Sequence, residues 1–295
     1  MENKFYLSIV FFILSVSFAL TAQSGTEGMG QRITSVNLES GRKENRDIEL
    51  EYDSEDRLVR FRDVRKSRKS LDWELSYNTA MLPQDYRYTV VSPGRNYSAL
   101  ISMEYENSQL VKSWFNGELE SYSYTDKGLP AGNSWDFQSG NAGKVEYTYR
   151  EGILRHILMR KENSNEPSSI TNLDFFYDES GRVMRMEETR FDLKDSLKNI
   201  NTYSLNYDDS GNLTSLIFKG KTFRESFQFL YNSDGRLITI EHDDGESITI
   251  MSFHYGPGYG HDPVSPYFRN YAFLLESVPE EILFPFTLFF IITSY

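Results

Sequence analysis

The sequence predicts an all-β protein: an up-and-down antiparallel meander of about 16–18 strands, closed or curled into a wide barrel. Three observations predict it. First, a tyrosine recurs at Tyr52, Tyr77, Tyr105, Tyr124, Tyr149, Tyr177, Tyr207, Tyr231 and Tyr255, at intervals of 19 to 30 residues. Second, four of these tyrosines open the same kind of turn. These are Tyr52-Asp-Ser-Glu-Asp-Arg-Leu58, Tyr177-Asp-Glu-Ser-Gly-Arg-Val183, Tyr207-Asp-Asp-Ser-Gly-Asn-Leu213 and Tyr231-Asn-Ser-Asp-Gly-Arg-Leu237. Third, apolar residues alternate with polar ones in front of the tyrosine, as in Leu173, Phe175, Tyr177 or Phe227, Phe229, Tyr231.

The first element is a targeting segment. A lysine at Lys4, the apolar run Phe5–Leu20 and small residues up to Ala22 follow the order of a secretory signal. The run is short of the roughly 20 residues that span a bilayer. Residues 1–22 are therefore expected to be removed after Ala22, with Ala19 as the alternative. The mature chain then works outside the cytoplasm, in the periplasm or at the cell surface. It has no cysteine, so disulfides, Cys-ligated metals and thiol catalysis are excluded. Export without disulfides fits a bacterial envelope.

Residues 23–263 form the repeat domain. Period-two alternation of apolar residues marks a half-buried strand. The Asp/Asn-x-x-Gly that follows supplies turn chemistry. The acidic or amide side chain bonds nearby backbone, and the glycine takes a positive φ. Gly181, Gly211 and Gly235 are thus expected at positive φ at one end of the sheet. After the turn the alternation is expected to resume, as in Leu213-Thr-Ser-Leu-Ile217 and Leu237-Ile-Thr-Ile240. At the other end the connections vary. Those near Thr222 and Asp243-Asp-Gly245 look tight, while Arg65–Ser70, Asn163–Ser169 and Leu193–Asn201 look long and polar. No helical crossover fits between strands, so a parallel sheet is disfavoured. An open sheet of this size tends to curl or close, which removes its edges.

Residues 264–295 depart from the repeats. Tyr267, Tyr271, Leu274 and Val278 recur at helical spacing, predicting a short amphipathic helix over Pro266–Val278 that covers a barrel mouth. Ile282–Tyr295 is almost wholly apolar and reads as a last strand or plug.

The Tyr-Asp-x-x-Gly-Arg-Leu stretches at Tyr52, Tyr177, Tyr207 and Tyr231 resemble the YD repeats of the Rhs family. The mature chain also resembles secreted bacterial proteins of unknown function with a porin-like fold. The Rhs resemblance implies β-hairpins wound into a shell, often around a toxin. Too few repeats for such a shell are present, and no toxin module is recognisable. Fold does not fix function.

Few residues in the sequence point to chemistry. His156, His242, His254 and His261 show no metal-ligand spacing and read as polar loop residues. Asp208, Asp209 and Asn212 lack the ligand order of a calcium loop. No phosphate cradle or hydrolase elbow occurs. Glu187 and Glu188 are adjacent in a strand and face opposite sides. With 31 basic against 43 acidic residues, a net charge of −12 argues against nucleic-acid binding through phosphates. No catalytic, cofactor-binding or metal residue is expected. Tyr52, Tyr177, Gly181, Tyr207, Gly211, Tyr231 and Gly235 are structural repeat positions, with a sugar-stacking surface as the rival role for the tyrosines. The expected function is a non-enzymatic secreted or periplasmic binding or structural module, with envelope proteins or glycans as partner classes. The alternative is an outer-membrane barrel, the one case in which the chain would meet a membrane.

Overall fold

The computed structural model describes residues 31–257, apart from 42–44, 56, 66–69, 81, 93–94, 138–139, 164–165, 194–196 and 223. The expected signal segment, the helix over Pro266–Val278, the tail Ile282–Tyr295 and His261 lie outside the described residues. Eighteen strands follow one another: β1 (Gln31–Ser40), β2 (Arg46–Tyr52), β3 (Leu58–Arg65), β4 (Ser70–Tyr77), β5 (Pro83–Ser92) and β6 (Arg95–Glu106). Then come β7 (Gln109–Phe115), β8 (Glu118–Tyr124), β9 (Pro130–Asp136), β10 (Asn141–Arg150), β11 (Ile153–Asn163) and β12 (Glu166–Tyr177). The last six are β13 (Val183–Asp192), β14 (Leu197–Tyr207), β15 (Leu213–Lys219), β16 (Arg224–Tyr231), β17 (Leu237–Asp243) and β18 (Ile248–Pro257). Each strand pairs antiparallel with its sequence neighbours, and β18 pairs back with β1, so the sheet is a closed barrel. Among the described residues there is no helix.

Closure gives the two faces different fates. The side chains that point inward form a single hydrophobic cluster contributed by both halves of the ring, from Val36 and Ile48 to Phe229 and Phe253. The outward positions carry Glu49, Glu51, Arg60, Arg62, Asp72, Lys144, Glu146 and Arg160. Eighteen strands spaced about 4.8 Å apart make a wall of roughly 86 Å, which as a round bore would be far wider than side chains can fill. Yet Val36, Ile48, Leu110, Met186, Leu216 and Leu237 are 0% exposed.

The nine repeat tyrosines lie within two residues of the ends of the nine even-numbered strands, so all nine share one rim. At that rim the strand after each tyrosine carries an extra residue. Val59, Gln84, Val111, Ala131, Arg155, Met184, Thr214 and Ile238 are skipped in the pairing, as is Thr34 opposite Tyr255. Such a bulge splays the odd strand from its other neighbour. The pairing of β13 with β14 stops at Arg185–Ser204, and beyond it the Tyr207 hydroxyl donates to the Val183 carbonyl at 2.9 Å. Tyr52, Tyr77, Tyr124, Tyr177, Tyr231 and Tyr255 repeat this with the carbonyls of Ile33, Leu58, Leu110, Leu154, Leu213 and Leu237. The hydroxyl continues the ladder where backbone pairing ends.

The turn that follows is built as its residues require. Asp178 Oδ1 accepts from the Ser180 and Arg182 amides, both at 2.9 Å, and its other oxygen accepts from Arg182 Nε at 2.8 Å. The Gly181 amide donates back to the Asp178 carbonyl. Gly181, Gly211 and Gly235 stand at φ of +80°, +90° and +78°, all at the tyrosine rim. The turn arginine also serves the neighbouring repeat. Arg57 lies over the Tyr77 ring and Arg182 over the Tyr207 ring, each 4.8 Å from the centroid. Each of these turns thereby covers the tyrosine of the next repeat.

Three expectations are corrected. Simple alternation does not resume after the turn, because the bulge shifts the phase. The buried residues are Leu213 with Leu216, and Leu237 with Ile240, three apart rather than two. The polar stretches Asn163–Ser169 and Leu193–Asn201 are not long loops. β11 and β12 run through most of the first, where a polar inward face at Ser169 and Thr171 hides the strand from a hydrophobic pattern. β14 begins at Leu197 within the second, with the polar Asn201 buried. Finally, His156, His242 and His254 are strand residues, not loop residues.

Candidate functional site

Tyr52, Tyr177, Tyr207 and Tyr231 pack against the core and bond neighbouring carbonyls. Burial pushes the Tyr177 phenol up to about 12, with the nearby Arg155 acting the other way. These rings are therefore part of the wall. The histidines are dispersed. His156 Nδ1 meets Asp174 at 2.8 Å on the outer face, while His242 meets Glu225 at 3.0 Å and stacks on Phe227. Among the described residues no three His, Asp or Glu side chains gather as metal ligands would.

Three carboxyls point inward and are buried: Asp63 on β3, opposite Ile48, and the two glutamates Glu120 and Glu188. Glu120 on β8 accepts from the Asn133 amide, beside a Ser113–Tyr122 hydroxyl pair 3.1 Å apart. Burial pushes its carboxyl up to about 8, against the hydrogen bonds that favour the charged form. Glu188 on β13 accepts from Asn201 at 3.0 Å and from the Tyr203 hydroxyl at 2.9 Å, and burial raises its pKa as well. Lys161, mostly buried on β11, has its ammonium pushed down to about 7 by burial and by Arg190. These groups line the inner wall toward the end opposite the tyrosines. Sequence patterning does not reveal them, because one inward Glu among alternating polar residues looks like an outward one.

The outer wall carries a concavity among the described residues. A groove of about 570 Å³ runs over β8 to β11. Its floor exists because outward residues there are small: Ser121 and Ser123 on β8, Gly132 and Ser134 on β9. Ser121 stands opposite Ser134, and Ser123 opposite Gly132. Ser134 in turn faces Lys144, and Gly132 faces Glu146. Gly132 is required by close approach, since a Cβ there would run into the Val145 carbonyl of the next strand. Lys144, Glu146, Thr148, His156 and Leu158 form the far side. Glu146 is held by Lys144 Nζ at 2.9 Å and Arg160 Nη1 at 2.6 Å. The Lys144 hydrogen bond, ahead of the other causes, holds its carboxyl below the usual range. The hydroxyls of Ser121, Ser134 and Thr148 make no side-chain hydrogen bond among the described residues. The groove depends on the register of four strands, so only the run of small residues in β8 and β9 could have signalled it.

No protein-family model matches the chain, and no curated protein matches it. Among solved structures, a porin-like protein from Bacteroides uniformis is similar at 10% identity, with a TM-score of 0.43. The alignment covers 76% of this chain and 96% of that one. A protein of unknown function of the DUF3598 family from Nostoc punctiforme is similar at 11% identity with a TM-score of 0.16. There 81% of this chain and 99% of the other are covered. The barrel described above rests on its own strand pairings.

Proposed function

We propose that this chain is an exported, non-enzymatic β-barrel that works in water as a binding or structural module of a bacterial envelope. Its outer wall is the working surface. The observation that carries this reading is the division of the faces: apolar inside, charged outside. Ion pairs cross the outer face between neighbouring strands, such as Arg60 with Asp72, Lys112 with Glu104 and Arg160 with Glu146. A barrel in lipid needs the reverse, an apolar outer belt about 25 Å tall. Large apolar residues do occur outside, including Val91, Phe176, Ile200 and Leu230, but they are spread among charges. Arg185, for one, lies 4.2 Å over the Phe176 ring.

Export is supported by the charge, apolar run and small residues of positions 1–22. Kinship with YD repeats is supported by the sequence motif alone, the Tyr-Asp-x-x-Gly-Arg spacing that begins at Tyr177 and its variants at Tyr52, Tyr207 and Tyr231. A non-enzymatic role is supported by the sequence, which carries no metal-ligand spacing, phosphate cradle or hydrolase elbow. Expression in a Gram-negative host followed by osmotic shock tests the central reading. Release into the shock fluid without detergent is the expected result; retention in the membrane until detergent is added would refute it.

A further inference from the structure

We propose that the groove over β8 to β11 binds a neutral carbohydrate. This inference rests on the reading of the outer wall as a water-facing surface. The volume, about 570 Å³, is that of a small-ligand site. Its charges decide the ligand class. Lys144 and Arg160 are both spent on Glu146, His156 is engaged by Asp174, and Lys112 at the near edge is paired with Glu104. An anion would have to break the Lys144–Glu146–Arg160 set and approach a chain of charge −12. A cation would have to displace Lys144 from Glu146. Neither charge finds an uncommitted partner along the groove wall.

What is uncommitted is hydroxyl. Ser121 and Ser134 stand opposite each other across β8 and β9, with Cβ atoms about 5 Å apart at such positions. Thr148 adds a third hydroxyl on β10. A hydroxyl both donates and accepts, and so does each hydroxyl of a sugar. Glu146, fixed by two cations, presents a pre-oriented acceptor, which lowers the ordering cost of binding. Ala131 and Leu158 supply carbon surface for the C–H face of a pyranose. Trp114, half-buried on β7, stands on the same outer face one strand beyond Ser121 and two residues past Lys112, which faces Ser121. It adds aromatic surface to the outer wall near Ser121, outside the groove lining itself. Alternating hydroxyl, carboxylate and carbon surface, with no net charge to satisfy, is the complement of a neutral polyhydroxyl chain.

The test is calorimetric titration of the purified full chain with neutral hexasaccharides of glucose, mannose and xylose, and with an acidic oligogalacturonate. At least one neutral hexasaccharide should bind with a Kd below about 1 mM. Ser134→Trp, which fills the trough from an exposed position, should weaken that binding by at least about tenfold, with Tm unchanged. Ser134→Thr, which keeps the hydroxyl, should retain it. If Ser134→Trp lowers Tm, Thr148→Trp blocks the groove from the neighbouring strand. The proposal is overturned if no neutral hexasaccharide binds, if only the acidic one does, or if blocking variants bind as well as the parent. Protein that is freed by osmotic shock yet binds no sugar would sink this inference alone; protein that stays in the membrane would sink the reading beneath it.

Discussion

At the level of single side chains, the tyrosine hydroxyl and the buried glutamate make opposite demands. Tyr207 packs its ring on the core and gives its proton to the Val183 carbonyl. Tyr207→Phe keeps the packing and removes only the bond, so urea denaturation should read a loss of about 1 kcal/mol. Tyr207→Ala removes the ring as well and should cost about 3 kcal/mol. Equal losses would mean that the hydroxyl does nothing. Glu120 carries a pH signature. Its folded pKa, about 8, lies above the ordinary carboxyl value of 4.5. Between those values the folded state holds a proton that the unfolded chain releases. Stability therefore falls as pH rises from 4.5 to 8 and this contribution is flat on either side. Glu120→Gln cannot ionise, so its advantage over the parent should grow across that window to a few kcal/mol. Parallel stability curves for the two proteins would assign the proton elsewhere.

At the level of the hairpin, the repeat motif is a set of cooperating parts. The Asp caps the turn, the Gly supplies the left-handed residue, the Arg shields the next tyrosine, and the bulge residue follows. Gly211→Val forces a β-branched side chain to φ +90° and should cost roughly 1 kcal/mol or more. Gly41→Val is the control, because a Cβ there meets nothing within 4 Å. Similar melting temperatures for the two variants would refute the turn assignment. Much of this hairpin is legible in the sequence. The alternation before Tyr177 or Tyr231 names the strand and its inward face, and Asp-x-x-Gly names the turn. The bulge is not legible, because a period of three between Leu213 and Leu216 looks like noise in a period of two. Nor are the strands around Ser169 and Thr171, whose inward faces are polar. The groove is illegible for another reason. Its floor is an accident of register, in which Ser121, Ser134 and Lys144 come into one row only after three strands have paired.

Across the whole molecule, seventeen of the eighteen pairings join strands that follow each other in the chain. The exception is β1 with β18, where Gln31 meets Pro257. This seam has kinetic consequences. Hairpin after hairpin can form locally and quickly, since each closes a short loop. The seam closes a loop of more than 200 residues, and the chain entropy lost is greater by about 2–3 kcal/mol than for a short turn. A curled ribbon with two open edges should therefore accumulate before the ring shuts, its apolar face only partly covered. Stopped-flow refolding should show a fast phase of strand formation followed by a slower one that protects β1 and β18 from hydrogen exchange. A single phase with uniform protection would exclude such a ribbon. Two ribbons that meet before closing can each supply the other's missing edge. The slow phase should accordingly divert into strand-exchanged dimers as protein concentration rises, so the seam that completes the barrel is also where two copies can become entangled.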